Sequence, residues 1–150
     1  MAIYFYKQYG PLGYLANYSD HGFFKDGKYW PTAEHYFQAQ KFFDESIQER
    51  IRLAETPKEA STIGRDRKLP LRSDWEQVKQ DIMLETVLLK FRAHPDILKL
   101  LIETGDEELI ENTTKESYWG CGPNKDGQNN YGKILVKARK ILKEELKQKI

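Results

Sequence analysis

Glu34, Gln38 and Lys41 stand at i, i+4 and i+7 in the run Thr32-Ala33-Glu34-His35-Tyr36-Phe37-Gln38-Ala39-Gln40-Lys41-Phe42-Phe43. On a helix these three share one face. A carboxylate there can stabilise a cationic transition state or move a proton, and a desolvated amine can attack a carbonyl carbon. In the first turn after Thr32, the Glu34 anion gains about 0.3–1 kcal/mol from the helix N-terminus. Burial against Tyr29 or Trp30 pushes its pKa the other way. A solvated Glu–Lys face is the commoner source of such spacing, and the spacing alone leaves both outcomes open.

Gly64-Arg65-Asp66-Arg67-Lys68, with Arg72 behind it, holds four cations within nine positions. Planar guanidinium groups bind phosphate oxygens bidentately, so Arg65 and Arg67 form a candidate phosphate clamp. A basic loop paired with Asp66 and Asp74 is an equal alternative. Trp75 at a helix start and Trp119 between Tyr118 and Gly120 offer flat faces for a base, although a lone Trp is more often core. Glu116 adds a carboxylate three residues before Trp119. The stretch from Gly120 to Lys133 is rich in Gly and Asn and can present amides to an anion. It matches neither the P-loop nor the dinucleotide fingerprint, and by itself it is a weak signal. His21, His35, His94 and Cys121 lack zinc or iron spacing, which argues against a metal or other cofactor. Cys121, between glycines, reads as a small loop or buried cysteine rather than a nucleophile.

These side chains need elements to hold them. Ile3–Tyr6 reads as a short strand. Phe23 to Trp30 is a hairpin about Asp26-Gly27, the strongest turn signal in the chain. Pro31 ends it, and Thr32 caps a helix running to about Asp44. Thr56-Pro57-Lys58-Glu59 is a capping box for a helix stopped by Gly64, and Ser73-Asp74-Trp75-Glu76 is a second one. The helix after it carries Val78, Ile82, Leu84, Leu88, Leu89 and Phe91 as its apolar stripe. Pro95 starts another helix, with Ile97, Leu98, Leu101 and Ile102 inward, ending near Gly105. Leu109-Ile110 reads as a short strand, Trp119 to Gly132 as a structured loop, and Tyr131 onward as a last helix with Ile134, Leu135, Ala138, Ile141, Leu142 and Leu146 at helical spacing. The expectation is one α+β, mainly helical domain over residues 1–150 with a small N-terminal sheet or hairpin.

Composition agrees with a globular protein, at 39% hydrophobic and 31% charged residues. Lys plus Arg number 24 against 23 Asp plus Glu, so anion preference must come from a local cluster. No strongly basic helix offers a nucleic-acid dock. A single cysteine excludes an intrachain disulfide and fits a reducing compartment, the cytoplasm. No apolar run nears the roughly 20 residues that span a bilayer, and Met1–Gln8 lacks the pattern of a secretory signal, so no membrane partner is expected. Oligomeric state is left open by the sequence.

In order along the chain, the segments resemble the NADAR, or YbiA-like, family. They are Leu15-Ala16-Asn17-Tyr18, Asp26 through Lys41, Ile63-Gly64-Arg65-Asp66-Arg67, Asp74 through Lys79, Leu89-Lys90-Phe91 and Glu103-Thr104-Gly105-Asp106. Leu109-Ile110-Glu111, Tyr118-Trp119-Gly120 and Asn130 through Leu135 complete the set. The family more often has Leu/Phe-Ser-Asn-Phe at the first of these.

The resemblance implies cleavage of a ribose C1′–N bond in a phosphorylated small molecule. Members of the YbiA-like type hydrolyse early riboflavin-pathway aminopyrimidine ribotides, releasing ribose 5-phosphate. Others remove ADP-ribose from guanine bases in nucleic acid. It also implies a catalytic Glu34 and active-site Trp75 and Trp119. A family aspartate is replaced by Glu116, one methylene longer. On these residues the expected site is Glu34, Glu116 and Lys41 for catalysis, with Trp75, Trp119, Arg65, Arg67, Asn17 and Gln38 for binding. Lys41 would form a Schiff base with a ring-opened sugar. The near-neutral charge favours the small ribotide over ADP-ribosylated nucleic acid. A module that binds ADP-ribose or NAD without turnover is the reading from another class; the retained Glu34, Trp75 and acidic Glu116 argue against it.

Overall fold

A computed structural model describes residues 1–149. In chain order the elements are β1 (Ala2–Phe5), β2 (Phe23–Lys25), β3 (Lys28–Trp30), α1 (Ala33–Ala39), α2 (Glu45–Arg52), α3 (Pro57–Gly64), α4 (Trp75–Ala93), α5 (Pro95–Glu103), β4 (Glu108–Glu111) and α6 (Asn130–Gln148). The α+β, mainly helical class holds. No helix among the described residues is long and apolar enough to cross a membrane.

The hairpin forms as its turn residues dictate. Asp26 and Gly27 take φ of 53° and 78°, the type I′ geometry that matches strand twist, and Phe23 pairs with Trp30 across it. The first strand behaves differently. β1 does not join the hairpin; it pairs in parallel with β4, from Ala2 opposite Glu108 to Phe5 opposite Glu111. The described residues therefore form two separate two-stranded sheets, one of them closed only late in the chain.

Helix α1 is capped as expected, with the Thr32 hydroxyl accepting from the His35 amide at 3.2 Å. It stops at Ala39 rather than near Asp44. The chain tightens there into i to i+3 bonds, Lys41 N–H to Gln38 and Phe42 N–H to Ala39. Asp44 is then the cap of a helix the sequence reading did not contain: its carboxylate accepts from the Ser46 amide at 2.8 Å and starts α2. The Thr56 cap of α3 forms, with Glu59 N–H donating at 3.0 Å. The second expected capping box does not. Arg72 holds the Asp74 carboxylate at 2.6 and 3.0 Å, leaving no side-chain cap on α4.

Two apolar cores flank α1. One gathers Phe5, Leu15, Phe37, Val87, Phe91, Leu109 and Leu135; the other gathers Phe23, Trp30, Tyr36, Phe42 and Ile51. Every residue of α1 is buried. Helix α4 lies between both cores, so its buried residues are Trp75, Met83, Thr86, Val87, Lys90 and Phe91 rather than the single expected stripe; Val78, Ile82, Leu84 and Leu88 are half-buried against one core and Leu89 against the other. In α6, Ile134, Leu135, Ala138 and Leu142 are buried as expected, while Leu146 is exposed.

Candidate active site

A cleft of about 700 Å³ opens between α1, α3, the start of α4 and the end of β4. It gathers Asn17, Glu34, Gln38, Lys41, Arg65, Trp75, Glu116 and Trp119 from five separate stretches of sequence. The volume lies in the range of small-molecule sites.

Glu34 is 6% exposed and Gln38 3%, so α1 does not present a solvated charged face. The Gln38 side-chain amide donates to Glu34 Oε2 at 2.9 Å. Burial pushes the Glu34 carboxyl above the usual range; the Gln38 bond, Arg65 and Lys41 oppose that and favour the anion. Gln38 can lie here because residue 64 is glycine. A methyl at that position would sit 2.1 Å from Gln38 Oε1.

Lys41 follows the end of α1 on the tightened turn, yet its ammonium still lines the cleft. It lies 3.4 Å from the Gly64 carbonyl and 5.9 Å from the Trp75 ring centroid. Burial lowers its pKa to about 8; Glu34 resists that and Arg65 adds to it. The aromatic wall is a packed set. Phe37 meets Trp75 at 5.3 Å and Trp119 edge-on at 5.7 Å, pairs each worth about 0.5–1.5 kcal/mol beyond area burial.

The segment before Asn17 is held from below. Lys90 is fully buried and donates to the Tyr14 and Ala16 carbonyls at 2.6 and 2.8 Å. Asn17 then accepts the Glu34 amide on its carbonyl and aims its side chain into the cleft. Asn17 Oδ1 and Gln38 Oε1 are buried atoms of cleft-lining residues with no hydrogen-bond partner among the described residues. Buried acceptors are rarely left so, and their convergence here suits the hydroxyl groups of a sugar.

Other expected residues lie elsewhere. Of the four cations near Gly64, only Arg65 lines the cleft. Arg67 is exposed outside it, and Arg72 is held by Asp74 and stacked on Phe43. Glu116 lines the cleft, but Oε1 accepts the amides of Tyr118 and Trp119 at 2.8 and 3.3 Å, which ties it to the loop carrying Trp119. The later half of the glycine-rich loop turns its amides inward: those of Gly127 through Tyr131 donate to carbonyls of residues 117–121. Cys121 is buried beside Asn112 and Thr113. His35 bridges Thr32 and the Ala54 carbonyl away from the cleft. No group of three or more His, Cys, Asp or Glu among the described residues is placed to hold a metal ion.

Two features were missed from sequence. Lys7, Lys58, Lys79 and Lys115 join Lys41 and Arg65 around the cleft, so a nearly neutral chain concentrates six cations there against three carboxylates. The third carboxylate is Glu111, the last residue of β4. The readable signal was strand alternation: Leu109 and Glu111 share a face, and Leu109 is buried.

The NADAR domain family model matches residues 4–143, and the chain belongs to that family. A protein of Nostoc punctiforme named an N-glycosidase is 48% identical over 95% of this chain and 94% of its own length. The N-glycosidase YbiA of Escherichia coli is 41% identical over 93% and 88%. Its NMR structure matches this fold with a TM-score of 0.89 over 96% of this chain and 86% of that one. A Vibrio vulnificus protein named for riboflavin biosynthesis is 37% identical over 95% of this chain but only 39% of its own length. The relatives matched along their length are thus named for one class of hydrolase.

Proposed function

We propose that the chain hydrolyses the C1′–N bond of a ribose 5-phosphate N-glycoside whose leaving group is an early riboflavin-pathway aminopyrimidine. The observation that carries this is Glu34, buried in an aromatic-walled cleft, where burial raises its pKa and Gln38, Arg65 and Lys41 pull it back toward the anion. Breaking an N-glycoside develops positive charge on the sugar, and a fixed carboxylate in a site of low dielectric stabilises that charge strongly. Glu34 supplies it and accepts a proton from the attacking water. Trp75 and Trp119 stack the base, Asn17 and Gln38 take the ribose hydroxyls, and Arg65 holds the phosphate. Glu116 fixes Trp119. The N-glycosidase and riboflavin names of the relatives support the substrate class.

The low pKa of Lys41 favours a second route through the same residues. A neutral Lys41 amine adds to C1′ of the ring-opened sugar, which is held as an imine to the base nitrogen. The base leaves as its amine with the C1′–N electron pair and a proton passed from Lys41, and water then cleaves the Lys41 imine to release the sugar phosphate. Borohydride under turnover traps a protein–ribose adduct on this route and none on the direct one. The six cleft cations likewise favour a second substrate, guanine-linked ADP-ribose, which carries an extra phosphate. The deciding assay offers the aminopyrimidine ribotide and an ADP-ribosylated guanine oligonucleotide side by side, with Glu34→Gln as control. Release of ribose 5-phosphate from the ribotide alone supports the proposal. Turnover of the oligonucleotide alone replaces the substrate, and equal inactivity of wild type and variant on both rejects the reading.

A further inference from the structure

The cleft holds a carboxyl that neither the charge-stabilising role of Glu34 nor the loop-fixing role of Glu116 uses. Glu111 ends β4, and its main chain is unusually well fixed. Its amide donates to the Asn129 side chain at 2.9 Å, and its carbonyl accepts from Thr113 and Cys121 at 3.0 and 2.9 Å. Asn129 closes the arrangement by donating its own amide to the Leu109 carbonyl at 2.9 Å. The side chain, by contrast, receives no hydrogen bond from any donor among the described residues, although it lines the cleft with Glu34 and the tryptophans.

Its surroundings are opposite to those of Glu34. Glu34 from α1 and Glu116 from the following loop both bear on Glu111 with like charge. Tyr131, from α6, is buried nearby, but its hydroxyl donates to the Leu15 carbonyl. From the β1 side the paired residue is Phe5, followed by Tyr6; exposed Lys7 and Lys115 also line the cleft. The two cations that act on Glu34, Arg65 and Lys41, are not among the groups acting on Glu111. Burial raises both carboxyls, but the donor and cations that favour the anion act on Glu34 and like charge acts on Glu111, so a proton in the cleft is held preferentially on Glu111.

We infer that Glu111 is the general acid of the N-glycosidase reaction, delivering its proton to the glycosidic nitrogen as the C1′–N bond breaks. This rests on the proposed N-glycosidase function. The bonding pair leaves with nitrogen, which gains the Glu111 proton and departs as a neutral amine. A water oxygen bonds to C1′ and gives its proton to Glu34. Glu111 is left as the carboxylate, and net proton transfer from Glu34 through solvent restores both groups.

An exocyclic amine is a poor leaving group unless protonated, and general acids contribute about 10²–10⁴-fold in such steps. Burial, with Glu34 and Glu116 adding to it, raises the Glu111 pKa to about 7. The acid form is required, so activity must fall as pH rises through that value.

The test is the pH profile of kcat and KM for wild type and Glu111→Gln on the aminopyrimidine ribotide, with melting curves for both. Expected are a kcat loss of about 10²-fold or more, a KM within about threefold, and loss of the alkaline limb near pH 7 in the variant. A folded variant that keeps kcat within a few fold, or keeps that limb, overturns the inference. If Glu111→Gln does not fold, carbonyl NMR titration of the wild-type Glu111 side chain, assigned through the β4 backbone, decides. A carboxyl still largely protonated at pH 6 supports the role, and one fully ionised there overturns it. An inert wild type overturns the function itself, which the other outcomes leave standing.

Discussion

The two walls of the cleft carry the same side chain and treat it in opposite ways. On the α1 wall, Glu34 sits in a short capped helix, receives an amide hydrogen bond and faces two cations. On the β4 wall, Glu111 ends a strand, faces two carboxylates and receives none. The first wall is built from neighbours in sequence; the second joins β1, β4, the loop that follows and the start of α6. Burial raises the proton affinity of both carboxyls, and the side chains the fold brings opposite each one set the difference between them.

The most severe break of that contrast is Glu34→Gln. It keeps the shape of the α1 wall and removes its charge. With about 10³-fold lost from kcat and KM nearly unchanged, the variant would separate transition-state stabilisation from binding. Retention of more than a tenth of wild-type kcat would move the chemistry to the other wall.

Lys90 sharpens the comparison through pH. Burial holds its pKa near 7 against 10.5 in the unfolded chain. Between those values the unfolded chain binds a proton that the folded chain does not, so this group makes stability rise with pH across the window. The gain approaches about 1.4 kcal/mol per pH unit within it. Urea midpoints at pH 7 and 9 should show the advantage of wild type over Lys90→Met growing with pH. An equal difference at both would mean that the ammonium stays charged beneath Asn17.

Asn129→Ala loosens the β4 wall while leaving α1 intact. It strips the hydrogen bonds to the Glu111 amide and the Leu109 carbonyl, and a loss of about 1–3 kcal/mol is expected in denaturant unfolding. No change in midpoint would place the fixing of β4 elsewhere. The smallest effects divide the arginines. Arg65→Ala should raise KM for the phosphorylated substrate about tenfold, and Arg67→Ala should leave it within about twofold. Equal effects would bring the exposed residue back into binding.

Much of the α1 wall was legible because its causes are local. Thr32 caps, aromatics flank, and Glu34 and Gln38 follow at one-turn spacing. The end of that helix was not, since Asp44 serves equally as a last residue or as a new cap, and α2 was lost with it. The β4 wall was nearly invisible. Four residues give little alternation to read, and the partner strand lies more than a hundred positions earlier. The Gly- and Asn-rich loop looked available to an anion because sequence shows amides without showing that nearby carbonyls take them.

The parallel pairing of residue 2 with residue 108 has a consequence for synthesis. As the chain leaves the ribosome, the hairpin and α1 through α5 can assemble while β1 waits for its partner. Glu111 reaches its place only when Asn129 and the first turns of α6 have emerged. A nascent or prematurely terminated chain therefore carries Glu34 on a formed helix but no opposing wall. The two walls of the cleft face each other only once the start of α6 has joined β4.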